Sequence, residues 1–357
     1  MIVWQWYNYF VSCIPTGKTV LRINIDETAI CVHQQSPRGV LCVDRNVARE
    51  LLHHVPRATR RRYITYVSMI CDNEDLQALL PQYLIGNEAT FRQCDMIQLQ
   101  EGLPRNIHLL RRKSAWCDSK VMVLLLRQLH LAISRHIEGL QPIILWDAAR
   151  HHTTPTVFAS AERMGFWPIT IPAKLTWLLQ PLDTHVFASF KRRLEDAHHA
   201  ARVRDARGEV SFPKFMRCVY NTIDATISKR SWHDAFDADG FHASQLGVST
   251  RVKNQLRISG PVRVPEGQPS LDDVAQCFPK RFRLTHGMAF GAATQPILRR
   301  SRALVDRPVP VGIRLHPSPP LRMRTRSGIR ALHRCASIPR RSLHLLSVVR
   351  RTEVTSE

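Results

Sequence analysis

Long apolar runs are missing from this chain. Nowhere do about 18 apolar residues follow one another, which excludes a membrane-spanning helix. Paired cysteines are missing as well. The nine cysteines, at 13, 31, 42, 71, 94, 117, 218, 277 and 335, form no C-x-x-C, so a structural zinc finger or a dithiol redox motif lacks its ligands. Scattered over 357 residues, they do not make the dense framework of a small secreted fold, and they read as reduced thiols of an intracellular protein. Acid is scarce: 29 Asp+Glu stand against 51 Lys+Arg, a formal net charge of +22. Such an imbalance points to an anionic partner, most often nucleic acid. No internal repeat occurs. The opening segment MIVWQWYNYFVSCI is apolar and aromatic but lacks the basic start and small-residue end of a signal peptide, so it reads as a buried strand or helix. What the chain does have is a hydrophobic fraction of 44%, enough to fill a core.

The charge is unevenly placed. Residues 280–357 hold 17 Lys+Arg and 3 Asp+Glu, which leaves the first 279 residues only +8. That last segment also has seven prolines, many Ser and Arg, and little apolar periodicity, so it reads as a basic disordered tail. The expected organisation is a short lead over 1–18, a core over 19–205, a helical extension over 206–279 and the tail over 280–357.

Periodicity supplies the elements. VLRINID (20–26) alternates as a strand, TAICVHQ (28–34) reads as a second strand after a short link, and RYITYVSMIC (62–71) as a third. A helix capped by Ser114 or Asp118 runs to about Ile137. PIILWD (142–147) is a central buried strand ending in a carboxylate. A helix over 154–164, a strand over 166–171 and a long basic helix from Asp183 to about Arg204 follow. This order argues for an α/β fold with a mixed sheet flanked by helices.

Three aspartates stand out: Asp26 in NIDET, Asp147 in ILWDAARHH and Asp183 in LLQPLDTHVFASFK. A carboxylate at the end of a buried strand costs desolvation unless it is paired or binds a metal. Clustered carboxylates are preferred ligands of Mg²⁺ and Mn²⁺, and two such ions about 4 Å apart support phosphodiester chemistry. Taken singly, each aspartate is equally at home as a turn former, and Asp183 as a helix cap.

These three segments resemble the catalytic blocks of DDE-type transposases, in the manner of the pogo/Tigger/jerky branch of the mariner superfamily, also called DDE superfamily endonucleases. The third block matches at Thr176, Leu179, Gln180, Pro181, Leu182, Asp183, Val186, Phe190 and Lys191, and His152 matches the final His of the second. The resemblance covers about residues 19–205. It implies an RNase H-like fold, a metal-binding catalytic triad of Asp26, Asp147 and Asp183, two Mg²⁺ (or Mn²⁺) ions, and DNA as substrate, with a homodimer compatible with that reading. Ala148 and Arg150 depart from the Asn and Pro usual in the second block. Only about 18 residues precede the first catalytic strand, too few for the helix-turn-helix domains such proteins usually carry. The expectation is therefore a catalytic core without its sequence-reading module, either an active endonuclease and strand-transfer core or a domesticated non-catalytic DNA-binding derivative.

Other residues complete the expectation. Glu27 should face away from Asp26 in a support or surface role. His152 is a candidate accessory group at the phosphate or the attacking water, with His33, His151 and His185 nearby; the pairs His53/His54 and His198/His199 lack partners at zinc spacing. Lys174, Lys191, Arg192 and Arg193 flank the third aspartate as candidate phosphate contacts, and Arg57 and Arg60–Arg62 as weaker ones. Trp116, Trp167, Trp177 and Trp232 are expected in the core. The tail clusters Lys280–Arg283 and Arg299–Arg302 resemble nuclear-localisation segments, which places the protein in the nucleus.

Overall fold

The computed structural model describes residues 1–32, 63–205, 210–243, 247–270 and 272–273. The described residues all belong to one compact unit. The basic tail, its two Lys/Arg clusters, Arg57, Arg60–Arg62, His33, His53 and His54 lie outside them.

The chain opens with helix α1 (Ile2–Ser12) and strand β1 (Thr19–Cys31). It continues through β2 (Tyr63–Cys71), α2 (Glu74–Gln77), β3 (Gln82–Asn87), α3 (Met96–Gln100), β4 (Ile107–Arg112), α4 (Ser119–Ile133), β5 (Leu140–Asp147), α5 (Pro155–Arg163), β6 (Trp167–Ile171) and α6 (Thr176–Leu179). After a π-helical turn, Leu182–Val186, come α7 (Phe187–Val203), α8 (Phe212–Ile223), α9 (His233–Ala238) and α10 (Thr250–Gln255). The six strands form one sheet in the order β4-β3-β2-β1-β5-β6. β1 pairs antiparallel with β2 and parallel with β5, and β5 pairs parallel with β6. This is the expected RNase H-like mixed sheet flanked by helices, with β4 added beside β3.

Two expectations are corrected. The segment 28–34 is no separate strand, because β1 runs unbroken from Thr19 to Cys31, held along its length by β2. Asp26 therefore lies within a strand and does not end one. Strands β3 and β4 are additional to those expected. QYLIGN and IHLLRR are short, and their pairing partners rather than their periodicity make them strands.

Both faces of β1 are buried, as a central strand requires. Leu21, Ile23 and Ile25 point to one face and Arg22, Asn24 and Asp26 to the other. On the first face, Trp146 of β5 meets Phe158 of α5 edge-on, with ring centroids 5.7 Å apart. On the second, Tyr66 of β2 packs against Phe190 of α7, and Phe10 of α1 packs against Trp167 of β6. So α5 lies on one side of the sheet, with α1 and α7 on the other. The apolar lead is thus a helix whose Val3, Trp4, Trp6, Tyr7 and Phe10 are buried. It is tied to the C-terminal segment by Trp4 Nε1 donating to the Asp239 carbonyl (3.1 Å) and the Tyr7 hydroxyl donating to the His242 carbonyl (3.0 Å).

Arg22 is only 1% exposed, and every part of its head group is occupied. Its Nε donates to Asp72 at 2.6 Å, and NH1 reaches both Asp237 and the Phe241 carbonyl. The guanidinium also lies over the Phe236 ring at 5.4 Å. A buried charge paired this fully joins β1 to the segment after α8.

Candidate active site

The β1–β5 ladder runs from Thr19–Leu140 to Asn24–Leu145 and stops there. Continued at the same offset, it sets Asp26 level with Asp147, on neighbouring strands spaced about 4.8 Å apart. Beyond Asn24, β1 runs on bonded to β2 alone, so its β5 side opens beside Asp26. This is the crevice at the carboxyl end of a parallel strand pair where α/β sheets bind ligands.

The third aspartate is brought there by Asn24. Its side-chain Nδ2 donates to the Leu145 carbonyl (2.8 Å), and its Oδ1 accepts from the Leu182 backbone N–H (2.8 Å). One amide thereby fixes β1, β5 and the start of the π-helical turn. Such turns within helices are rare and often mark functional positions. Asp183 sits on this turn, exposed, and takes a hydrogen bond from the Thr176 hydroxyl. The turn is held from its other side by Asp239, which is 0% exposed. Asp239 accepts from the Thr184 hydroxyl (2.7 Å), His185 Nε2 (3.1 Å) and Arg251 NH1 (2.6 Å).

The three carboxyls act on one another electrostatically. Burial pushes the Asp26 carboxyl well above the ordinary carboxylate range, and the charges of Glu27, Asp183 and Asp147 push it further. Burial and Asp147 raise Asp183 too, against the pull of Thr176, a shared hydrogen bond with Asp26 and the Lys191 ammonium. A site where acids oppose one another's ionisation is short of positive charge, and an all-carboxylate donor set suits a hard divalent cation. The residues therefore fit the Mg²⁺ or Mn²⁺ that the motifs imply.

Asp147 is oriented by its own loop. Its Oδ1 accepts from the Ala149 backbone N–H at 2.9 Å and pairs with His152 Nδ1 at 2.6 Å. His152 is fully buried and stacks on Trp146, with centroids 5.7 Å apart. Its other nitrogen, Nε2, lies 3.1 Å from Glu27 Oε1, and His151 Nε2 lies 3.0 Å from the same oxygen. Burial alone would raise the Glu27 carboxyl, but the two histidines hold it well below its usual range. The Glu27 and Asp147 carboxylates conversely lift His152 well above an ordinary imidazole, against its burial.

His152 thus holds Asp147 in place, and it is too enclosed to meet a phosphate directly. Glu27, alternating with Asp26 along β1, turns to the other face, against His151 and His152. Lys174, Lys191, Arg192 and Arg193 are all exposed, and of these Lys191 is the one whose charge acts on Asp183. Two tryptophan expectations are corrected: Trp116 and Trp177 are 80% and 54% exposed, whereas Trp167 and Trp232 are buried. Trp177 Nε1 donates to the Lys174 carbonyl at 2.9 Å. Sequence reasoning missed Asn24, Asp239 and Arg251. Asn24 was visible two residues before Asp26 on the same strand face; the other two gave no local signal.

Residues 64–233 match the family model described as DDE superfamily endonuclease. That span holds Asp147 and Asp183, and Asp26 stands before it. No curated protein matches the sequence. Among solved structures, the Mos1 transposase paired-end complex with left transposon end is 14% identical with a TM-score of 0.33, over 68% of this chain and 63% of that one. The catalytic domain of Mos1 mariner transposase is 13% identical with a TM-score of 0.32, over 67% of this chain and 92% of that one. The Mos1 mariner paired end complex with Mn is 14% identical with a TM-score of 0.34, over 67% of this chain and 62% of that one. The match thus spans less than two thirds of the first and third of these relatives.

Proposed function

We propose that this chain is the nuclease core of a DDE-type transposase of the mariner superfamily, which hydrolyses a DNA phosphodiester and then joins the freed 3′-hydroxyl to a target phosphate, whose own 3′-oxygen leaves. The observation that supports the reading is the β1–β5 register, which sets Asp26 level with Asp147 at the opening between the strands, with Asp183 near enough for its charge to act on Asp26. The family match over residues 64–233 supports it, as does the pogo/Tigger/jerky pattern around Asp183.

The three carboxylates would hold Mg²⁺ or Mn²⁺, and a pair of such ions would supply activation of the attacking oxygen and neutralisation of the leaving one. The chain's own residues do the positioning. Asn24 sets the height of the 182–186 turn, and with it Asp183. His152 and the Ala149 N–H hold one oxygen of Asp147. Exposed Lys174, Lys191, Arg192 and Arg193 grip the phosphate backbone, and the tail's basic clusters direct the protein to the nucleus.

The test is cleavage of supercoiled plasmid by the purified full chain with Mg²⁺ or Mn²⁺. The wild type should nick it. Asp147→Asn should lower the rate by at least about a hundredfold, the scale of a lost catalytic group. Nicking that survives this substitution, or a wild type that binds DNA and leaves it intact, would overturn the reading.

A further inference from the structure

Among the described residues, Glu27, His151 and His152 form a tight group of metal-ligating side chains. One oxygen of Glu27 and one nitrogen from each histidine all lie within 4.8 Å of one another. Both imidazoles aim Nε2 at the same oxygen, at 3.0 and 3.1 Å. A tetrahedral ion with ligands at about 2.1 Å spaces them about 3.4 Å apart, so each Glu27–histidine pair needs to open by only a few tenths of an ångström. We propose that Glu27, His151 and His152 form a second cation site, selective for a borderline ion such as Zn²⁺ and separate from the carboxylate triad.

Donor chemistry separates the two sites. Three carboxylates suit Mg²⁺ or Mn²⁺, whereas two imidazoles and a carboxylate suit Zn²⁺ and leave a fourth position for water. The supports of a built site are present too. His152 Nδ1 is held by Asp147 at 2.6 Å, the carboxylate–histidine arrangement that fixes the ring with Nε2 toward an ion. Entry is through His151, 23% exposed, while His152 closes the back at 0%. The ion would take the place of the protons now shared between the histidines and Glu27. Asp147 of the triad also holds His152 Nδ1.

The test is Zn²⁺ binding by the full chain after chelator stripping, followed by calorimetry, with Co²⁺ as an absorbing substitute. The wild type should take one ion at this site, with the intense visible bands of four-coordinate Co²⁺. His151→Ala should weaken that binding by at least about tenfold, and Asp183→Asn should leave it unchanged. His151→Gln, which keeps the side-chain volume, should behave as His151→Ala does, and thermal melts establish that each variant is folded. The proposal is overturned if the wild type gives no four-coordinate Co²⁺ spectrum. It is equally overturned if folded His151 variants bind as the wild type does, or if binding disappears with Asp183→Asn. None of these outcomes depends on DNA cleavage, so the nuclease reading stands or falls separately.

Discussion

At Asp26 a carboxyl is held where burial and three neighbouring carboxylates all oppose its charge. Its folded-state pKa is raised, so its contribution to stability is full below the ordinary value of 3.8 and is lost as pH climbs through the raised value. Glu27 works in the opposite sense. Its depressed pKa gives stability that is present above 4.5 and fades as pH falls. In chelator at neutral pH, Asp26→Asn should therefore melt at a higher temperature than the wild type, and the gap should grow as pH rises from acid toward neutral. Added Mn²⁺ should raise the wild-type Tm more than that of the variant, because an ion bound only by the native state stabilises it. Thermal melts with and without Mn²⁺ check this; a variant less stable than the wild type in chelator contradicts it.

Among the elements, the five-residue turn at Leu182–Val186 matters most to the site, and its position depends on a side chain 158 positions away. Asn24→Leu would leave the buried Leu182 N–H and Leu145 carbonyl without their partner. Each orphaned group costs about 1–3 kcal/mol, so urea unfolding should show a loss of a few kcal/mol. Metal affinity should fall as well, since Asp183 rides on the turn. A loss of stability with metal affinity intact would show that the turn is held in place without Asn24. The sequence foretold β2, β5, α5, β6 and the placing of Asp147 at the end of β5, because strand periodicity is a local signal. It did not foretell β3 and β4, whose six residues each gain their strand character from neighbours. It read Asp183 as the start of a continuous helix, since an extra residue in a helical turn leaves no mark in apolar spacing. Trp116 and Trp177 were misplaced because aromatic character alone does not say which way a surface turn faces.

For the whole molecule, packing crosses residue 205. Arg22 of β1 pairs with Asp237, Trp4 of α1 bonds Asp239, and Arg251 of α10 bonds both Asp239 and the Leu178 carbonyl. A chain ending at 205 would lose part of the pairing of a buried guanidinium and the anchor of the π-helical turn. Breaking a buried ion pair from one side costs about 3–5 kcal/mol, so this truncation should lose its near-UV circular dichroism and cooperative melting. A chain ending at 273 should keep both. Cooperative unfolding of the shorter chain would show that the core closes without the C-terminal helices. These long-range partners were illegible in the sequence, because nothing in AFDADGF announces a contact with a strand more than 200 residues earlier.

The polar face of β1 places Arg22, Asn24 and Asp26 at alternate positions, each anchoring a different part of the molecule. A single inserted or deleted residue between them would turn part of this row to the apolar side. Loss of chemistry and loss of folding are therefore inseparable for length changes in this strand. A copy of this gene drifting without selection could fall silent gently only by substitution, and a frame-preserving indel here would remove the protein altogether.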